Sequence, residues 1–263
     1  MLYSAQREVW GFSMPLSKPI TMGNKSSMTP IKCSSCAIRK LCLPVTLAES
    51  EVEHLESIIK KGSTLKKGTY LFRDGDEFQH IYAIRSGSFI NSTISDEGDE
   101  QITGFFLPGE IIGMDSIHSG VHPTSAKTLE TSSVCAIPFN RLKDLARDIP
   151  TLQSQLFKIM SNEIHDEHNL MLLLGKKSAE ERLASFMVNL SQRFKVRGLS
   201  ETSFRLPMTR SQIGNYLGLA VETVSRLLSK YHQQQILSVQ DKEIKVLNKE
   251  QLSEMAGTNC HHF

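Results

Sequence analysis

PMTRSQIGNYLGLAVETVSRLLSKY, residues 207–231, is the stretch from which the rest of the chain can be read. Thr209 is placed to cap a first helix running to Leu217, and Gly218 falls where the chain must turn through a positive φ. Gly214 is small enough for two helices to cross closely. Ile213, Leu217, Leu219, Val224 and Leu227 are spaced to seal the space between them. A small residue, a turn glycine and sealing aliphatics in this order predict a helix–turn–helix. The second helix turns Glu222, Ser225, Arg226 and either Ser229 or Lys230 outward. An arginine can take the acceptor edge of guanine, a glutamate can accept from cytosine N4, and a serine can serve either way. Thr209 and Arg210, at the start of the first helix, join Glu222, Ser225 and Arg226 as candidate DNA contacts. Glu222 and Arg226 stand four apart and share a helix face, so an intrahelical ion pair is the plain reading elsewhere. Inside this turn pattern, with a two-stranded wing expected around Gln240–Glu243 (QDKE), base reading is the stronger one.

Charge supports that reading. The chain has 263 residues and a formal net charge of +2. Residues 1–175 hold 17 Lys and Arg against 20 Asp and Glu, whereas residues 176–263 hold 13 against 8. A near-neutral whole with a basic C-terminal third fits a protein that meets a polyanion at one end. With 40% hydrophobic and 22% charged residues, the composition is that of a globular protein and excludes whole-chain disorder. No run of 18 apolar residues is present, and the N-terminus lacks the apolar stretch of a secretory signal, so neither a membrane partner nor export is expected.

Upstream of the helix–turn–helix the period is helical. Leu152, Leu156, Ile159, Met160, Ile164, Leu170, Met171 and Leu174 predict an amphipathic helix of about 25 residues, long enough to suggest a coiled-coil partner. A second helix follows over about 178–193, and a short one closes the domain at 249–256. Residues 64–138 instead carry short β-type runs (TYLFRD, HIYAIRSGSFINSTI, EQITGFFLPGEIIGMD, SSVCAIPF) punctuated by glycines, which predict an antiparallel barrel or double-sheet roll. A helix starting at Thr46, with Glu49 completing a capping box, precedes them. Residues 1–30 show no apolar period and read as a flexible segment.

Three of the five cysteines fall within ten residues in IKCSSCAIRKLCLP: Cys33, Cys36 and Cys42. An odd count without an export signal argues against a disulfide framework and for metal or redox chemistry in a reducing compartment. Cys-x2-Cys lets two thiolates from one turn reach one centre, and the longer loop returns a third. Zinc and a four-iron cluster both want four ligands. The fourth lies far along the chain, with Cys135, Cys260 or a histidine as candidates. Cys135 in SSVCAIP also reads as a small buried hydrophobe, and Cys260 sits in the tail beside His261 and His262.

These segments, with YAIRSG, GDEQITGF and KKSAEERLASF, make the chain from about Pro30 to Gly257 resemble the cyclic-AMP receptor/Fnr superfamily of transcription regulators, and within it the Fnr (fumarate and nitrate reduction) family. The resemblance implies an α+β fold: an N-terminal double-stranded β-roll (jelly roll) sensor domain, a long dimerisation helix and a C-terminal winged helix–turn–helix. The segments are then a cysteine loop at 31–45, the roll at 46–150, the dimerisation helix at 151–177, the DNA-binding domain at 178–257 and a tail at 258–263. It further implies an oxygen-sensing global regulator in the cytoplasm. In that family a 4Fe–4S cluster is held by cysteines that map onto Cys33, Cys36, Cys42 and Cys135. The cluster favours a homodimer on double-stranded DNA with palindromic TTGAT-type half-sites. Oxygen converts it to a 2Fe–2S form, and monomers release DNA. RNA polymerase contacts are implied at Gly98, Asp99 and the region of Arg197.

On the long helix, Met160, Ile164, Glu167 and Met171 follow heptad spacing. Glu167 facing its twin would destabilise the seam and leave the dimer poised. His165 and His168 are expected to be solvated. Two positions depart from the superfamily pattern. The stretch HPTSAKTLE (122–130) lacks the arginine that pairs with a cyclic-nucleotide phosphate, and Lys127 has no bidentate fork, so no cyclic nucleotide is expected. Ala37 follows Cys36 in the cysteine loop, where small polar residues tune a cluster, so the family's oxygen sensitivity does not carry over as a number. The competing readings are a regulator carrying zinc or a nitric-oxide-responsive cluster, and an iron–sulfur enzyme or electron carrier. The last is disfavoured because no nucleophile–base pair, phosphate loop or G-x-G-x-x-G is found.

Overall fold

The computed structural model describes residues 32–257. The expected flexible N-terminus and the tail with Cys260, His261 and His262 lie outside the described residues. After the cysteine loop comes helix α1 (Glu49–Ile58). It begins later than Thr46 because Leu43–Thr46 form a 3-10 turn opened by Pro44, with Leu43 and Pro44 buried. The cap falls on Ala48. Its N–H donates to Glu51 Oε2 at 2.8 Å, the half of a capping box that needs no cap side chain.

Strands β1 (Lys60–Leu65), β2 (Tyr70–Phe72), β3 (His80–Ser86), β4 (Phe89–Ile94), β5 (Glu100–Phe106), β6 (Ile111–Ile112), β7 (Ser125–Thr128) and β8 (Ser132–Pro138) form two four-stranded antiparallel sheets. Their orders are β1-β8-β3-β6 and β2-β7-β4-β5. Leu65, Phe72, Ile84, Phe89, Ile112, Ala126 and Val134, drawn from both sheets, form one core. This is the expected double-stranded roll. Period-two alternation sends the other face outward: Ile81, Ala83, Cys135 and Ile137 join Val52 and Leu55 of α1. The same core takes Leu142 and Ala146 of α2 (Phe139–Asp148), and Leu152.

The long helix α3 spans Pro150–Lys176, 27 residues, and separates two apolar stripes where one was expected. Leu152 and Leu173 are buried, and Leu156, Ile159, Leu170 and Leu174 pack partly inward. Phe157, Met160, Ile164, Met171 and Leu172 face out. Helix α4 (Ala179–Val196) follows after Lys177 and Ser178 alone, and Ser178 caps it by accepting from the Glu181 N–H.

The remainder is a winged helix–turn–helix. Strands β9 (Ser203–Arg205), β10 (Leu237–Gln240) and β11 (Glu243–Val246) make a sheet in the order β10-β11-β9, around helices α5 (Arg210–Leu217) and α6 (Val221–Gln233). Helix α7 (Lys249–Ala256) closes it. Tyr231 of α6 is fully buried, and its hydroxyl donates to the Glu180 carbonyl at 2.8 Å. Burial, helped by Glu180, pushes that phenol up, so α6 is anchored by a neutral hydrogen bond inside a core.

Candidate DNA-reading helix, thiol site and domain junction

Local chemistry builds the reading head as the sequence predicts. Thr209 Oγ1 accepts from the Gln212 N–H at 3.2 Å, and Gln212 Oε1 accepts from the Thr209 N–H at 2.8 Å, a complete capping box for α5. Gly218 ends that helix at φ 62. A Cβ on Gly214 would stand 2.5 Å from the Leu219 carbonyl oxygen, so only glycine lets the turn fold back on α5. Ile213, Leu217, Val224 and Leu227 are buried between the helices, and Leu219 packs partly against them. Glu222 and Arg226 are exposed and Ser225 half-buried on the outer side of α6, while Thr209 and Arg210 are exposed at the start of α5. Among the described residues no ion pair joins Glu222 to Arg226, so the plain intrahelical reading is not what the geometry makes. Lys230 is committed elsewhere, to Glu180 of α4 at 2.7 Å, and Ser229 Oγ donates back to the Ser225 carbonyl at 3.0 Å.

The cysteine loop wraps onto the outer face of the roll. Cys33 and Cys36 sit in one turn, with the Cys36 N–H donating to the Cys33 carbonyl at 3.1 Å, and Cys42 follows a 3-10 turn over Arg39–Leu41. Ser34 N–H donates to Glu56 Oε1 at 2.9 Å, and Arg39 pairs with Glu49 at 2.8 Å, so α1 pins the loop at both ends. Cys135 lies on β8 opposite Ala83 of β3 and Lys61 of β1, with its face toward the loop. Cys33 and Cys135 are buried in one apolar cluster, and Cys42 packs against it. All four thiols are free. Burial first, then neighbouring thiols, pushes Cys33 to about 12 and Cys42 to about 12. Burial also pushes Cys135 up.

Three thiols at one apolar spot with Cys36 beside them make four, the number and softness of donor that a four-iron cluster takes, and a bound cation is what would stabilise such thiolates. The donor set therefore fits the group. Among the described residues, however, no three His, Cys, Asp or Glu side chains are already grouped at ligand geometry, so the thiols converge without being closed on a centre.

The implied seam residues Met160, Ile164, Glu167 and Met171 are all exposed on the outer side of α3. Phe157, 62% exposed, extends the 3-4-3-4 spacing one step toward the N-terminus, and the sequence reading passed over it. Gly98 and Asp99 lie at the exposed β4–β5 turn, Gly98 with φ 90.

In the region of Arg197, implied to contact RNA polymerase, the arginine itself does not reach the surface. Its side chain is 7% exposed and turned inward, with Nε donating to the Pro108 carbonyl at 2.8 Å and Nη2 to Glu110 Oε1. Arg193 joins it, with Nη2 to Glu110 Oε2 at 2.6 Å and Nε to Oε1 at 3.1 Å. Burial works to raise the Glu110 carboxyl, but Arg193 and then Arg197 outweigh it and hold the group below its ordinary value. The exposed side chains of this region include the apolar Val196 and Leu199 and the charged Lys195. A second bond set ties α5 to the edge strand β5. Asn215 Oδ1 accepts from the Ile102 N–H, and its Nδ2 donates to the Glu100 carbonyl, both at 2.6 Å. The sequence reading missed this junction. Its only signal was two arginines four apart on a helix, which reads as a solvated face.

Comparison with known proteins agrees with these two parts. The model of the cyclic nucleotide-binding domain matches residues 63–148, and that of the Crp-like helix-turn-helix domain matches residues 181–255. The structure of FixK2 from Bradyrhizobium japonicum superposes with a TM-score of 0.70 at 28% identity, covering 76% of this chain and 98% of that one. Fold and reading head together define a DNA-binding transcription regulator of the Crp/Fnr type, not an enzyme. The chain is 50% identical over 227 residues to the fumarate and nitrate reduction regulatory protein of Escherichia coli strain K12, covering 86% of this chain and 91% of that protein. It is 50% identical over 225 residues to the transcriptional activator protein Anr of Pseudomonas protegens, covering 86% and 92%. The chain belongs to the Fnr family of the Crp/Fnr superfamily. Among the described residues no helix is long and apolar enough to cross a membrane.

Proposed function

We propose that the chain is a cytoplasmic, oxygen-sensing global regulator in which Cys33, Cys36, Cys42 and Cys135 hold a 4Fe–4S cluster under anaerobic conditions. When bound, the cluster would supply the oxygen-reactive chemistry of the sensor. The observation that carries this reading is the folding of Cys33 and Cys42 onto the apolar cluster that holds Cys135, with Cys36 in the same turn as Cys33 and all four thiols free. The chain's own residues do the mechanical work. Arg39–Glu49 and Ser34–Glu56 hold the loop against α1. Thr151, at the start of α3, donates to Glu51 of α1 at 3.1 Å, so the loop's support also touches the long helix. The exposed stripe Phe157–Met160–Ile164–Met171 is the seam of a homodimer. Glu167 within it keeps that dimer poised, because two carboxylates across a two-fold axis oppose association. Two reading heads then meet a palindrome of TTGAT-type half-sites through Glu222, Ser225 and Arg226, supported by Thr209 and Arg210, and the exposed Gly98–Asp99 turn is offered to RNA polymerase. Cyclic nucleotide is not the ligand. The cavity of about 550 Å³ beside the roll and α3 is lined by Asp115, Glu163, Asp166 and Glu167, and its arginine, Arg193, is already held by Glu110.

The deciding experiment is anaerobic purification with iron, sulfide and zinc analysis, followed by air while mass in solution is tracked. Near four irons and four sulfides per chain, with a dimer that falls to monomers in air, is the expected result. One zinc per chain and a mass indifferent to air would leave a DNA-binding protein with a structural metal.

A further inference from the structure

Only Lys177 and Ser178 separate the long helix α3 from α4, the first helix of the DNA-binding domain. A joint of two extended residues would by itself let the reading head swivel. Arg182, one turn into α4, spans that joint. Its Nε donates to the Lys177 carbonyl at 2.9 Å and its Nη2 to the Leu174 carbonyl at 2.7 Å, both at the C-terminal end of α3. Its Nη1 donates to the Leu217 carbonyl at 3.1 Å, the last residue of α5, and lies 3.4 Å from where a Cβ on Gly218 would stand. One planar guanidinium thus fills orphan carbonyls at two helix ends, where its charge also opposes the negative ends of both macrodipoles. Leu173 of α3 is buried in the same core as Leu183 and Leu217, which supplies adhesion. Apolar contact does not fix an angle, whereas three directed bonds in one plane do.

We propose that Arg182 is a positioning residue: it sets the angle between α3 and the helix–turn–helix, and so the separation and phase at which two reading heads of a dimer meet their half-sites. This rests on the homodimer reading above. A lysine cannot take its place, because a single ammonium has no fork to reach three carbonyls on different helices.

The test uses the anaerobically purified full chain and duplexes carrying either one TTGAT-type half-site or two at graded spacings. Each added base pair rotates one half-site by about 35° relative to the other. Wild type should favour one spacing and lose at least tenfold in affinity one or two base pairs away. Arg182→Met, which keeps the apolar stem, and Arg182→Lys should bind the single half-site within twofold of wild type. On the preferred palindrome they should lose at least tenfold, and their spacing preference should flatten. Sedimentation should show the same dimer fraction as wild type. Equal losses on the single half-site and the palindrome would show that the arginine only supports the domain's fold, and an unchanged spacing preference would show that it sets no angle. Either overturns the proposal. If the wild type itself shows no preference for two half-sites over one, it is the homodimer reading that falls.

Discussion

Replacing Glu110 by glutamine changes one heavy atom and removes the carboxylate that two inward-turned arginines share. The side chains of Arg193 and Arg197 are 20% and 7% exposed, so neither cation has ready access to water. Breaking a buried pair by removing one partner costs about 3–5 kcal/mol, because an uncompensated charge stays behind. Glu110 is itself 28% exposed, and glutamine keeps one acceptor, so about 2–4 kcal/mol is the figure to expect. For a protein with roughly 5–15 kcal/mol of stability that is a large share, worth roughly 5–15 °C in Tm at this chain length. The pH dependence follows from the depressed carboxyl. Its stabilisation is fully present above the ordinary value of 4.5 and is lost as pH falls through the lower folded value. Thermal unfolding followed by circular dichroism should therefore show a wide gap between wild type and Glu110→Gln at pH 7 that narrows toward pH 3. Replacing the triad at once, by Glu110→Leu with Arg193→Met and Arg197→Met, should recover most of the loss, since apolar side chains of similar volume leave no stranded charge. A Tm within 2 °C of wild type at pH 7, or a gap that widens in acid, would refute the assignment of this junction as a buried ion-pair joint.

Three further outcomes are expected. Cys33→Ala, Cys36→Ala, Cys42→Ala and Cys135→Ala should each abolish cluster retention by iron and sulfide analysis, while Cys260→Ala should not; retention by Cys135→Ala with loss in Cys260→Ala would reassign the fourth ligand. Arg226→Ala should cost about 1–3 kcal/mol on the specific site and relax discrimination at one base pair, and an equal loss on random DNA would reduce Arg226 to a phosphate contact. Glu163 is pushed up to about 7 by burial first, then by Asp115, Glu167 and Asp166 around it, with Glu110 and Arg193 lining the same cavity. A raised carboxyl favours the folded state at low pH and loses that advantage as pH rises from 4.5 to about 7, so Glu163→Gln should be the more stable protein at pH 8 by about 2–3 kcal/mol and should flatten that slope in urea titrations.

The helix–turn–helix was legible almost residue by residue because its chemistry is local. A threonine cap, a crowded Gly214 and a positive-φ Gly218 each act within a few residues of chain. The roll was legible where strands alternate, as in β3 and β8, and invisible where they do not. Strand β7 (SAKT) has no apolar alternation. It is nonetheless inside a sheet because Thr128 Oγ1 donates to the Lys66 carbonyl at 2.7 Å and Ser125 Oγ accepts from the Asp74 N–H at 3.0 Å. Strand β1 (KKGSTL) is an edge strand with a single apolar residue, the core Leu65, and its place comes from pairing with β8 more than from its own pattern. Cys33, Cys36 and Cys42 announced themselves by spacing, whereas Cys135 could be brought to them only by a resemblance. What joins the domains was hidden because Glu110 and Arg193 lie 83 residues apart, and Asn215 and Glu100 lie 115 apart. No periodicity encodes a pair of that kind.

The turn at Pro108–Glu110 ties the roll to the DNA-binding domain. Three consecutive residues serve three partners: the Pro108 carbonyl accepts from Arg197, Gly109 lies under Leu41 of the cysteine loop, and Glu110 takes Arg193 of α4 and Arg197 at its end. Gly109 has φ 95, and a Cβ there would stand 2.7 Å from Leu41 Cβ, so backbone conformation and close approach both demand glycine. Leu41 is the neighbour of Cys42. The packing that seats a cysteine of the loop is therefore one residue removed from the carboxylate that seats the DNA-binding domain. Interiors packed this tightly pass small displacements on instead of absorbing them. The Glu110 carboxylate is spent on the protein's own guanidiniums. The Pro108–Glu110 turn is thus a joint through which loop and reading head share a single piece of backbone.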